Sequence, residues 1–413
     1  MADSEYIFSK PAPEENVLLS WFVLFPVICL WMGLIFAKTR FDPLHYQTVD
    51  GQYYQELASK IQHGEAYIID GLKNKKGQSF SPYPPGYPLL LSGVSWLSTS
   101  NTLSPSLFLA GLLLVPMAWF WKKAGLPTLP WVILLFTDTA LELSSFTWSE
   151  WPFFIFSTLG ILAFNRYEEK PGFLSYWILF LAWMAVFLIR YAGIYVLIFI
   201  GLRIIFQILK GLSFWKELKI ASGLGLGFLA WFMAEIFLSG QATGGDRYAN
   251  TDHARALFQA LQLEIFNQFL WFKDASGSSA ISFFSALLVQ ILLTVWLIAW
   301  RKKTAEQPED VQNTSKIRQY LFQAGISYLV FIVPVRWHFY FAESFDLRLL
   351  GPGFLFLLLS FFLWADSRSK ISFRFGFLVC WILAAIYFTL PKKNIALKIQ
   401  EAIWTQTGPV FKP

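Results

Sequence analysis

Long apolar stretches separated by short polar turns dominate this chain, and neither the period-two alternation of half-buried strands nor a soluble helical stripe is sustained along it. A helix needs about 18 or more apolar residues to cross a hydrocarbon core. Runs near that length lie at Val17–Ala37, Pro105–Trp121, Leu129–Phe146, Trp151–Phe164, Leu174–Ile189 and Ile194–Leu209. Five more follow at Leu218–Leu238, Ile281–Trp300, Tyr320–Val335, Leu349–Trp364 and Phe375–Leu390. The pattern predicts an all-α polytopic membrane protein of about 11 spans, within a range of roughly 10 to 13. Residues 1–390 read as a single transmembrane domain, with a first outer loop at 38–104 that carries interfacial helices, a second at 240–280, and a short tail at 391–413.

The stretch Pro84–Leu97 is apolar but too short to cross easily, and it begins Pro-Pro-Gly-Tyr-Pro. It reads as a helix resting in the outer interface. The alternative, a twelfth span, would turn the first loop to the other side.

Composition agrees with the pattern. Charged residues are 15% of the chain and hydrophobic ones 55%, against roughly 25% charged in a soluble domain. That excludes a soluble fold. Cys29 and Cys380 are far apart inside apolar runs, which leaves no disulfide framework and no thiolate metal site. The net charge of +6 sits in loop lysines and arginines, so no nucleic-acid partner is expected. The clusters Lys122-Lys123, Arg166/Lys170, Lys210/Lys216/Lys219, Arg301-Lys302-Lys303 and Arg368/Lys370/Arg374 share one side in an eleven-span count. The positive-inside rule makes that side cytoplasmic. The acidic tail and the long first run argue against a cleaved signal peptide. The sequon Asn313-Thr314-Ser315 falls on the cytoplasmic side and is discounted.

Soluble-type motifs are missing. Gly244-Gly245 lacks a following Gly-Lys-Ser/Thr, the four histidines show no paired metal-ligand spacing, and no Gly-x-Ser-x-Gly elbow occurs. What remains is charge at the outer ends of apolar runs, where it is costly unless it faces a wet cavity or a partner. Asp50 begins a helix whose one face carries Tyr54, Leu57, Ala58 and Ile61; taken alone it also reads as a helix cap. Tyr83-Pro84-Pro85-Gly86-Tyr87-Pro88 fixes the angle of a new helix. Glu150 precedes Trp151-Pro152 and offers a second carboxylate, or a simple N-terminal helix charge. Asp138 and Glu142, one turn apart, are rival buried acids. Arg190, Arg336 and Arg348, with His338, sit where guanidinium groups meet phosphates, or where they merely snorkel.

In this order the motifs resemble the polytopic GT-C-type glycosyltransferases, and most closely the branch of protein O-mannosyltransferases and lipid A aminoarabinose transferases. The matching residues are Asp50-Gly51-x-x-Tyr54 with Ala58 and Gly64, the Tyr83–Pro88 entry, Ser149-Glu150-x-Pro152, Arg190-x-x-Gly193 and Arg348-Leu-Leu-x-Pro352. The resemblance implies transfer of a sugar from a polyprenyl-phosphate carrier to a hydroxyl, on the outward face of a bacterial inner membrane. It makes Asp50 the general base or a metal contact and Glu150 its acidic companion; a divalent ion held by the two is the one cofactor it allows for. Tyr54, Tyr83, Arg190, Arg336, His338 and Arg348 are the side chains expected at the lipid phosphate or sugar. Asp-Gly stands where that branch commonly has Asp-Glu, and no folded outer domain follows Leu390, which favours a lipid or glycan acceptor over a protein. A flippase or carrier for a lipid-linked substrate is the rival class. It predicts essential charge at mid-membrane and paired broken helices; Asp138 is the main residue that fits it, and no pair of matching broken segments is evident.

Overall fold

The computed structural model describes residues 14–41, 48–69, 81–95, 105–240, 243, 252–273, 275, 279–301, 310–339, 345–366 and 371–390. The expected tail at 391–413, the central part of the first loop (70–80) and Asp246, Arg247 and Tyr248 of the second lie outside the described residues.

Among the described residues every regular element is helical. In chain order these are α1 (Glu14–Phe41), α2 (Val49–His63), α3 (Gly86–Ser95), α4 (Pro105–Lys123), α5 (Thr128–Leu135), α6 (Asp138–Ser145), α7 (Glu150–Glu169) and α8 (Phe173–Ile189). After a 3-10 turn at Tyr191–Ile194 come α9 (Tyr195–Leu209), α10 (Trp215–Ser239), α11 (Ala254–Gln268), α12 (Ala280–Arg301), α13 (Asp310–His338), α14 (Leu347–Asp366) and α15 (Ile371–Thr389). Six of these segments are long and apolar enough to cross a bilayer: Pro105–Lys123, Tyr191–Leu209, Trp215–Phe237, Ala280–Ala299, Asn313–His338 and Leu347–Ala365. The protein is therefore an all-α integral membrane protein.

Burial separates the inner helices from the lipid-facing ones. The apolar window of α14 is 78% buried, whereas those of α10 and α12 are only 17% buried. The outer pair turns Leu226, Met233, Phe237, Ile281 and Leu288 outward, as a surface solvated by acyl chains permits. The centre is aromatic. Trp31 packs on Trp151 with centroids 5.5 Å apart, and Phe154 links Trp131 to Phe356 at 5.9 and 5.0 Å.

Two departures from the sequence pattern have local causes. The run Leu129–Phe146 is two short helices rather than one span. The chain breaks at Phe136-Thr137, where the Thr137 hydroxyl accepts from the Ala140 amide at 3.4 Å and starts α6 afresh; the Asp138 amide turns outward to donate to the Trp271 carbonyl at 2.7 Å. The run at Tyr320–Val335 belongs to a much longer helix, because α13 begins at Asp310 and continues through Arg336-Trp337-His338. The Pro84–Leu97 stretch contains α3, whose 10 residues reach only about 15 Å, half a hydrocarbon core.

The two ends of the bundle differ in character. Along α7, Glu150 and Glu169 stand at opposite ends of 20 residues, a separation of roughly 30 Å that matches a hydrocarbon core. Arg190, Arg348 and Asp50 gather at the Glu150 end. Arg203, Tyr320 and Lys216 gather at the other.

Candidate functional site

The site is assembled from five helix ends. Thr48, not Asp50, caps α2: its hydroxyl accepts from the Gly51 amide at 3.1 Å. That leaves the Asp50 carboxylate in the first turn, where the helix dipole favours its charge, and directs it at other elements. Arg190 ends α8 in an extended conformation, and the Gly193 amide donates to its carbonyl at 2.8 Å. A Cβ on Gly193 would lie 2.5 Å from the Phe187 Cα, so the Arg190-x-x-Gly193 spacing follows from a turn only glycine can close. Gly86 opens α3 against the end of α8. A Cβ there would meet the Leu188 carbonyl oxygen at 2.5 Å, and this close approach holds the Tyr83–Pro88 segment beside Arg190. Arg348 sits in the first turn of α14, which Asp346 begins by accepting from the Leu349 amide at 3.1 Å.

These ends meet in a four-charge cluster. Arg348 Nη2 donates to Asp50 Oδ2 at 2.5 Å, and Arg348 Nε donates to Glu150 Oε1 at 3.2 Å. Arg190 Nη1 reaches the same Glu150 oxygen at 2.8 Å. Two carboxylates and two guanidinium groups are thus interleaved with zero net charge. The Arg348 guanidinium also lies over the Trp148 ring, 4.4 Å from its centre, a cation–π contact that fixes its plane. Glu150 is completely buried, and its Oε2 accepts no hydrogen bond from any described residue.

A tyrosine layer completes the polar wall. The Tyr83 hydroxyl donates to Asp50 Oδ1 at 2.5 Å, so both Asp50 oxygens are engaged. Its ring packs on that of Tyr54 at 4.7 Å, and the Tyr54 hydroxyl meets Ser149 Oγ at 3.1 Å. Burial pushes the phenols of Tyr54 and Tyr83 well above their ordinary range, and the nearby carboxylate charge pushes them further. Both hydroxyls therefore remain protonated donors.

The cluster lines a cavity of about 520 Å³, within the roughly 300–1,000 Å³ of small-molecule sites. One wall is polar: Asp50, Tyr54, Tyr83, Glu150, Arg190 and Arg348. The rest of the lining is mainly apolar, with Ile194 after the 3-10 turn, Phe232 from α10, and Phe331, Ile332 and Val335 from α13. A charged wall combined with an apolar lining suits a ligand with a phosphate at one end and a hydrocarbon chain at the other.

Six of the eight residues singled out from the sequence thus meet in one cavity; Arg336 and His338 do not line it. Arg336 is buried but turns to Asp252 at 2.9 Å, ahead of α11, and His338 is exposed at the end of α13. The rival acids stand elsewhere: Glu142 pairs with Lys38, and Asp138 starts α6. Trp148 and the apolar wall went unnoticed in the sequence, because an aromatic or aliphatic residue among 43 Phe and 19 Trp carries no signal of its own. Neither a family model, nor a curated protein, nor a solved structure matches this chain.

Proposed function

We propose that this protein is an integral-membrane glycosyltransferase that moves a sugar from a polyprenyl-phosphate donor to a hydroxyl of a lipid or glycan acceptor on the outer face. The reading rests on one observation: a single cavity lined both by Asp50, Glu150, Arg190 and Arg348 and by a set of apolar side chains. Arg166 and Lys170 at the far end of α7, and Lys210 and Lys216 at the turn from α9 to α10, lie at the opposite end of the bundle, and the positive-inside rule then favours an outward-facing cavity.

In this reading the donor's chain lies along Phe232, Phe331 and Ile332, and its phosphate takes the guanidinium groups of Arg190 and Arg348. Arg348 then exchanges a carboxylate for a phosphate, which frees one Asp50 oxygen. Asp50 accepts the acceptor's hydroxyl proton as the acceptor's oxygen attacks the anomeric carbon. The bond from this carbon to the phosphate oxygen breaks, and the electron pair leaves on the phosphate, stabilised by the two arginines. One such displacement inverts the anomeric centre. Tyr83 orients Asp50, and Glu150 holds both arginines in place. A divalent ion fits this arrangement poorly, because the Arg348 guanidinium stands between Asp50 and Glu150; the reading routes no step through one.

The test is release of polyprenyl phosphate by the purified protein from a panel of polyprenyl-phosphate hexoses and pentoses, with membrane lipid extract as acceptor. Release that disappears in Asp50→Asn at normal expression supports the assignment. Full activity in that variant overturns Asp50 as base, and transbilayer movement of the intact donor without release would place the protein among flippases.

A further inference from the structure

A second cavity, of about 270 Å³, lies at the opposite end of the bundle. Glu168, Arg203, Gln207, Ser213, Lys216 and Glu217 supply its polar lining, from the ends of α7 and α9 and the start of α10. Part of this set is internally satisfied. Arg203 Nη2 pairs with Glu168 Oε1, and the Tyr320 hydroxyl donates to Glu168 Oε2. The Arg203 guanidinium is further held over the Tyr320 ring, 4.9 Å from its centre. Glu168 and Arg203 therefore neutralise one another.

The remainder is not satisfied. Glu217 is only 5% exposed; its Oε1 accepts from Gln207 Nε2 at 3.3 Å, while its Oε2 meets no donor among the described residues. Arg203, 6% exposed, has a buried Nε without an acceptor. A buried carboxylate oxygen and a buried guanidinium N–H without partners are each costly, and both belong to one cavity. Lys216 adds an ammonium group at the exposed rim.

We propose that this cavity binds a zwitterion carrying a primary ammonium and a phosphate. The ammonium supplies the donor that Glu217 Oε2 lacks, and the phosphate accepts from Arg203 and Lys216. Once Glu168 and Arg203 are set against one another, Glu217 and Lys216 leave one negative and one positive charge, the complement of a zwitterion. A lone divalent cation is disfavoured by Arg203 on Glu168 and by Lys216 at the mouth; a lone phosphate is disfavoured by Glu217. Leu209, Leu212 and Trp215 are exposed around the connecting turn, an apolar rim at the level where lipid headgroups lie. The same chemistry is found in phosphatidylethanolamine and in soluble phosphoethanolamine. Neither source bears on sugar transfer at the other end of the bundle.

The experiment places the full chain in phosphatidylcholine nanodiscs doped with phosphatidylethanolamine or phosphatidylglycerol, and reads retained lipid by native mass spectrometry. Phosphatidylethanolamine, with three ammonium N–H donors, is expected to be retained over phosphatidylcholine, which has none, and over phosphatidylglycerol, which lacks the cation. Glu217→Gln should weaken retention by roughly ten- to a hundred-fold, the value of one charge-assisted hydrogen bond. Lys216→Glu, a rim substitution that leaves the buried network intact, should weaken it as well, so a fold defect in the first variant does not remove the test. Displacement of the lipid by phosphoethanolamine identifies the soluble zwitterion as the ligand, and resistance to it identifies the lipid. Equal retention of the three lipids, or unchanged retention in both variants, overturns the proposal. Polyprenyl phosphate release is not read here, so this outcome and that of the sugar-transfer test are separable.

Discussion

Arg348 and Asp50 stand 298 residues apart in the chain and 2.5 Å apart in the structure, and the same guanidinium reaches Glu150 through its Nε. One side chain therefore holds together the start of α2, the start of α7 and the start of α14. Arginine suits this place because its planar fork presents several donors in fixed directions, whereas a lysine offers one compact charge.

Arg348→Lys keeps the positive charge but cannot bridge both carboxylates. Losing one charge-assisted hydrogen bond, about 1.5–3 kcal/mol, predicts a fall in polyprenyl phosphate release of roughly 10- to 100-fold. Among the described residues, Arg348→Ala leaves Glu150 with Arg190 and Asp50 with Tyr83. Breaking a buried pair costs ~3–5 kcal/mol, so this variant should also melt earlier in detergent than the lysine variant, which keeps one of the two contacts.

Stability should collapse at alkaline pH. Tyr54, Tyr67 and Tyr83 all have phenols raised above the ordinary value of 10.0, burial being the first cause in each. A raised folded-state pKa means that the unfolded chain loses these protons first. Their contribution is complete below pH 10 and is lost as pH rises toward the folded-state values, by up to about 1.4 kcal/mol per pH unit for each phenol. Thermal midpoints measured from pH 7 to 11 should hold flat and then fall. Tyr83→Phe should make the fall less steep, and an unchanged slope would count against the burial of that hydroxyl.

Gly86→Ala places a methyl 2.5 Å from the Leu188 carbonyl oxygen, a backbone atom that cannot rotate away. Forced separation of α3 from α8 should cost about 1–3 kcal/mol and move the Tyr83 segment off Asp50. The expected result is a lower melting temperature together with reduced turnover. Gly93→Ala serves as control, since a Cβ on Gly93, on the same helix, would meet nothing within 4 Å.

The apolar wall should act on the donor's chain and not on the chemistry. Phe232→Ala and Phe331→Ala each remove aromatic surface from the cavity, worth about 1.5–3 kcal/mol when fully covered. KM for a long-chain donor should rise by roughly tenfold or more, with kcat little changed. A short-chain donor that does not reach the wall should show no such rise.

Orientation is open to a direct check. In a background lacking Cys29 and Cys380, a cysteine at Glu65, just beyond α2, should react with an impermeant maleimide from outside intact cells. A cysteine at Lys170, at the far end of α7, should react only after lysis. The reverse pattern would move the cavity to the cytoplasmic face and remove the basis for a donor presented outside.

Much of the site could be read one residue at a time. Asp50, Glu150, Arg190 and Arg348 drew notice because ionised groups at the edges of apolar runs are expensive, so each asks for a reason. Arg336 passed the same filter and was placed with them, yet it serves Asp252 ahead of α11. The filter reports that a charge needs a partner and does not identify the partner. The helix-cap reading of Asp50 failed for a similar reason. Thr48 and Asp50 are both good capping residues, and backbone geometry chose Thr48. The break between α5 and α6 was invisible to hydropathy, because Phe136 and Thr137 interrupt the helix without interrupting the apolar run.

By itself the sequence determined the class of solvent, the helical architecture and the short set of costly charges, since each follows from composition and from lengths along the chain. Only the tertiary structure decided that Arg348 stands between two carboxylates, that Tyr83 closes Asp50 from the other side, and that α10 and α13 add an apolar lining. Those relations join residues from 33 to 298 positions apart, and they depend on how helices cross and which faces they turn inward. Close backbone approaches hold these elements, Gly86 against Leu188 between α3 and α8 and Gly193 against Phe187 in the turn after α8, where a single added methyl would change the distance between elements and, with it, the site.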